Sequence, residues 1–242
     1  MPSESGDMKL LGNFSKLLEP VSTNPNYNPA NASLKIAALN AQKTAAAAAV
    51  TNVGTNEATY KAAVNDRQSA FDDLRPVVTR AGNMLQASGA DKGTRDNVKT
   101  LARKISGQRK SPKPKDDPNT PANEANKTRS ASQQSYDNLV GNFDDLIALL
   151  ATVPSYVPNE PDLKITGLQA RSADLKAKNE AVNTTFASVS AARGLRDQLL
   201  YTNDDSVVNI ALLCKAYVRA AFGPNDPLFK RIKGLEFKKR PK

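Results

Sequence analysis

The chain has 242 residues, with 34 Lys and Arg against 24 Asp and Glu, a formal charge of +10, and 39% hydrophobic but only 5% aromatic residues. It contains no His and a single Cys. These absences exclude His-dependent nucleophilic catalysis, His-ligated or Cys-cluster metal sites and an intramolecular disulfide, so no cofactor or metal is expected. Much of the apolar content is Ala, which predicts a thin, elongated core.

The N-terminus lacks a basic stretch followed by an apolar one, so a secretory signal is not expected. Apolar runs such as Ala45 to Val50 are six residues long, against the roughly 20 that a membrane span requires. The expected location is therefore cytoplasmic, and a processed secreted form is also compatible with the sequence.

The first element is an amphipathic helix. Leu10, Leu11, Phe14, Leu17, Leu18 and Val21 recur at helical spacing. A turn with Tyr27 between Pro25 and Pro29 follows. No Pro then occurs until Pro76, which leaves room for a helix of about 40 residues, or roughly 60 Å. Leu39, Ala46, Val53, Tyr60, Arg67 and Leu74 stand seven apart along it, with a companion series through Ile36, Val50, Val64, Phe71 and Val78 that Lys43 and Glu57 interrupt. Such a period predicts shallow helix packing, as in coiled coils and bundles. Gly54 is the weak point, but the helix is read as continuous. Pro76 permits a new helix after Arg75, giving a third element from Val77 to Ala87. The segment from Gly89 to Thr94 reads as a helix–turn–helix connection, and a short fourth helix runs from about Thr94 to Ile105.

Residues 107–132 differ in kind. Gly107 to Thr128 holds four Pro, many charges and no apolar residue except Ala. This is the composition of an extended linker.

Beyond the linker the pattern returns. Residues 10–41 align without gaps with residues 139–170 at an offset of 129. Gly12-Asn13-Phe14 meets Gly141-Asn142-Phe143, and Pro25, Tyr27 and Pro29 meet Pro154, Tyr156 and Pro158. The chain thus reads as a tandem duplication of one helical module, with copy one at 7–106 and copy two at 133–238. In the second copy a long helix is expected from Pro161 in the first helical position. Leu168, Leu175, Val182 and Val189 form its seam, and Ile165 and Phe186 its companion series. Further helices are expected at Ser206 to Phe222 and Pro227 to Lys233, and a short strand at Leu235 to Phe237. The predicted fold class is all-α, each copy a three-to-four-helix bundle with one long heptad-patterned helix. Phe14, Tyr27, Phe143 and Tyr156 are its expected structural residues.

Chemistry is sparse. Four adjacent Asp pairs occur, at 72–73, 116–117, 144–145 and 204–205. Neighbours on a helix diverge by about 100° and do not jointly hold one metal. Cys214 lies in an apolar helical stretch and reads as a small core residue. The basic segments are the candidate functional surface. Lys215 to Lys242 carries nine Lys and Arg against Asp226 and Glu236, whereas residues 131–214 carry six basic and ten acidic residues. The candidate contacts are Arg109, Lys110, Lys113 and Lys115 in the linker and Lys230, Arg231, Lys233, Lys238, Lys239, Arg240 and Lys242 in the tail. Ile232, Leu235 and Phe237 are spaced to anchor the tail on a bundle face with its cations outward. The sequence favours a non-enzymatic structural or interaction protein that self-assembles or bridges partners. The expected partner is a protein, either a second copy or one with an acidic surface. The alternative is a nucleic-acid-binding protein that uses linker and tail as basic arms.

Overall fold

The computed structural model describes residues 4–108 and 134–239, and all the regular structure among them is helical. In chain order these are α1 (Glu4–Ser22), a 3-10 turn (Ala32–Leu34), α2 (Ile36–Asp72), α3 (Leu74–Ala87), α4 (Lys92–Ser106), α5 (Tyr136–Ala151), α6 (Ile165–Asp197), a π turn (Gln198–Thr202), α7 (Val207–Phe222) and α8 (Pro227–Ile232).

Local chemistry sets the boundaries. Asn31 accepts from the Ser33 amide at the 3-10 turn, Asp91 from the Thr94 amide at α4, Ser135 from the Asn138 amide at α5 and Asp226 from the Leu228 amide at α8. Each satisfies a helix N–H that has no partner within its helix. Gly89 and Gly107 take φ of +75° and +71° in the turns after α3 and α4, where a side chain would be strained. Gly54 lies inside α2, which is unbroken over 37 residues.

Several boundaries differ from expectation. Helix α3 starts at Leu74, so Pro76 sits inside its first turn, where its missing N–H is not needed. Helix α6 starts at Ile165, so Pro161 is not in its first helical position. The Leu163 and Lys164 amides turn back onto the Glu160 carbonyl, and Leu163 points inward. Leu235 to Phe237 has no regular secondary structure and pairs with no strand among the described residues. Phe186 is not buried with the companion series; it is 56% exposed.

Compactness divides the described chain into two units, one holding residues up to Lys61 and those from Thr185, the other holding Ala62–Thr184. These units are composed differently from the sequence segments 7–106 and 133–238, because each unit draws on both segments.

The first unit packs α1, the start of α2, the end of α6, α7 and α8. Phe14, Leu17, Val21, Leu39 and Ala46 are buried with Leu200, Val207, Val208, Cys214 and Ile232. Gln42 donates to the Leu199 carbonyl at 3.2 Å, Arg193 is ion-paired with Glu57, and the Tyr60 and Phe186 rings are 5.8 Å apart. Within this unit α2 and α6 therefore run antiparallel.

The second unit packs the end of α2, α3, α4, α5 and the start of α6. Its core joins Leu74, Leu85 and Ile105 to Phe143, Leu146, Leu150, Leu168 and Leu175. Phe71 meets Tyr136 edge-on at 4.7 Å, and the Arg67 guanidinium lies 4.1 Å from the centre of the same Tyr136 ring.

The two Pro/Tyr turns make the same bond. Tyr27 Oη donates to the Leu34 carbonyl at 2.8 Å, and Tyr156 Oη to the Leu163 carbonyl at 2.9 Å. Both rings are buried, as are Phe14 and Phe143.

Candidate functional surface: the anchored basic tail

The tail begins at α8, whose six residues turn Leu228 and Ile232 inward. Beyond it the chain turns at Lys233 and Gly234, with the Leu235 amide donating to the Ile232 carbonyl at 3.1 Å, and Phe237 is buried again. Leu235 packs half-buried against the same core. Four polar contacts fix this path. Lys215 on α7 donates from Nζ to the Lys233 carbonyl at 2.8 Å and to the Leu235 carbonyl at 2.9 Å. Asn13 on α1 donates from Nδ2 to the Glu236 carbonyl at 3.1 Å. Arg231 meets Glu19 of α1 at 3.3 Å. Burial lowers the Lys215 pKa, and the two carbonyls supply acceptors in place of lost water.

The cations of this segment face outward. Lys230, Arg231, Lys233, Lys238 and Lys239 are all exposed. Arg231 is paired with Glu19, and Lys238 with Glu236 at 3.2 Å. Among the described residues no carboxylate lies within ion-pair distance of Lys230, Lys233 or Lys239. Arg240, Lys242 and the linker candidates Arg109, Lys110, Lys113 and Lys115 lie outside the described residues.

The potentially reactive groups are built into packing. Cys214 is buried with Sγ 3.4 Å from Tyr27 Oη, and burial pushes its pKa up, away from the thiolate. Burial also raises the pKa of Tyr27, with the Cys214 contact adding to it. Asp144 accepts from Ser172 and pairs with Lys176 at 2.7 Å. Among the described residues no group of His, Cys, Asp or Glu is arranged to hold a metal ion, and no helix is long and apolar enough to cross a membrane.

Sequence reasoning missed two features. Asp7, ahead of the expected start of the first helix, is buried; it accepts from Tyr201 Oη and pairs with Arg196 at 3.4 Å. Nothing in the local pattern around Asp7 announces an ion pair across nearly the whole sequence. Lys215 was legible as a basic residue but not as the group that ties down the tail. Comparison with known proteins finds no matching family, no similar curated protein and no similar solved structure.

Proposed function

We propose that this protein is a non-enzymatic structural or interaction protein, a duplicated helical scaffold that assembles with itself or bridges partners through the outward face of its basic tail. The observation that carries the reading is the sorting of the tail. Ile232 and Phe237 are buried while five neighbouring cations are exposed. A tail that served only for solubility would need no buried anchor. Holding Lys230, Lys233 and Lys239 on an ordered segment lowers the entropy lost when they meet an acidic surface.

The duplication is part of the same proposal. The matched Tyr27 and Tyr156 bonds, and the burial of both Phe14 and Phe143, support it. Burial of Leu39, Ala46 and Val53 on α2, and of Leu168, Leu175, Val182 and Val189 on α6, supports the seven-residue seam. Two related modules in one chain present two related surfaces, which suits a bridging role.

The test is light scattering at low and high salt on the full chain and on the variant Lys230→Ala, Lys233→Ala, Lys239→Ala. The expected outcome is association, with itself or with an acidic protein partner, that salt weakens and the variant loses while its helicity is unchanged by circular dichroism. Identical association of both proteins contradicts the proposal.

A further inference from the structure

Helices α3 and α4 of the second unit leave an open groove of about 550 Å³ between them. One wall is cationic: Arg95, Lys99 and Arg103 project into it from α4, four residues apart, with Lys92 beside them. The lone carboxylate in the lining, Asp96, is engaged by Lys92 at 3.1 Å. Among the described residues no carboxylate is ion-paired with Arg95, Lys99 or Arg103. The facing wall on α3 presents Thr79, Asn83 and Gln86, exposed and neutral.

We infer that this groove binds a single nucleic-acid strand by its phosphodiester backbone. Three lines of chemistry lead there. Cations at every fourth helical position form a row with a spacing of about 6 Å, suited to a regularly charged polymer rather than to one anion. The amide side chains opposite, Asn83 and Gln86, supply neutral donors that phosphate oxygens accept from, while the Thr79 hydroxyl donates to the Arg75 carbonyl at 3.0 Å. The apolar floor offers little else to grip: Val78 and Val98 are only 1% and 3% exposed, so a peptide side chain finds no open hydrophobic pocket. The lining holds no aromatic ring, so bases do not stack in the groove and recognition is indifferent to sequence. The site is separate from the tail residues and does not rest on the function proposed for them.

The experiment is fluorescence anisotropy of the full chain with a labelled oligothymidylate of about 20 nucleotides, across a salt series. Wild-type protein is expected to bind with an affinity that falls steeply with salt. The variant Arg95→Ala, Lys99→Ala, Arg103→Ala is expected to bind about tenfold more weakly or worse, with its log–log salt slope reduced by about 2, at about 0.7 per lost phosphate contact. The tail variant Lys230→Ala, Lys233→Ala, Lys239→Ala is expected to keep the wild-type slope, which separates this site from the tail. If the triple groove variant does not fold, the single substitutions Arg95→Gln, Lys99→Gln and Arg103→Gln are each expected to lower the slope by about 0.7. Absence of binding at low salt overturns the inference, and so does binding that the groove substitutions leave unchanged. Displacement of the oligonucleotide by polyglutamate as effectively as by unlabelled oligonucleotide also overturns it, and makes an acidic peptide the occupant.

Discussion

A single hydroxyl closes each Pro/Tyr turn. Tyr156 Oη reaches the Leu163 carbonyl at 2.9 Å, seven residues ahead, and ties the turn to the entrance of α6. Tyr156→Phe keeps the ring and orphans that carbonyl, so it is expected to cost about 1–2 kcal/mol in urea unfolding. Burial, with the nearby Asp162 and Glu160 carboxylates, pushes the Tyr156 pKa from 10.0 to about 12. The folded chain therefore keeps a proton that the unfolded chain gives up above pH 10. The stability this provides is whole below that value and is lost as pH rises through the folded pKa. Tyr156→Phe is expected to flatten the alkaline limb of a stability–pH curve between about pH 10 and 12; an unchanged limb contradicts it. Asp7 is the other residue on which much depends. Its partner Arg196 has a side chain only 12% exposed. Asp7→Ala removes one of the two carboxylates that Arg196 meets, and a loss on the order of 1.5–3 kcal/mol is expected in the same assay. A loss below about 1 kcal/mol would mean that Arg196 is served equally well by Asp197, its other carboxylate partner.

At the scale of elements, two glycines in the long helices make opposite forecasts. Gly54 has open space around its missing Cβ. Gly54→Ala therefore raises helix propensity at no steric cost, and a gain of about 0.5–1 kcal/mol is expected. At Gly167 a Cβ would stand 2.1 Å from the Pro161 carbonyl oxygen. Gly167→Ala is expected to cost about 1–3 kcal/mol by overpacking, despite the better propensity of Ala. Paired thermal melts check both signs. The glycine at 167 explains why Pro161 misled as a helix start: the chain makes a further turn before α6, and its carbonyl presses on the new helix. Helix positions were otherwise legible because apolar spacing, Pro and caps are local signals. The pattern Leu10, Phe14, Leu17, Val21 predicts the buried face of α1, and all four are buried. The anchoring spacing of Ile232, Leu235 and Phe237 was legible for the same reason. Phe186 was not, because a seven-residue series fixes a helix face only where a neighbour covers it.

At the scale of the molecule, partners distant in sequence decide what is compact, and local pattern does not report them. Leu39 and Ala46 find Val208 and Cys214, while Leu85 and Ile105 find Phe143 and Leu146. The same apolar faces would serve equally well for packing within one of the segments 7–106 and 133–238, so their sequence is silent on the choice. The row Arg95, Lys99, Arg103 was equally silent: its spacing is visible, but the groove beside it arises only once α3 lies against α4.

The most direct measurement of this division uses the full chain with a specific protease site placed between residues 109 and 133. After cleavage, each compact unit still contains segments from both fragments. Size-exclusion chromatography with light scattering at high salt, where association through the tail is weakened, is then expected to show one species of the uncut mass, 26.0 kDa, that separates into two fragments only in denaturant. Two fragments that part under native conditions, each still helical and cooperatively folded, would contradict it.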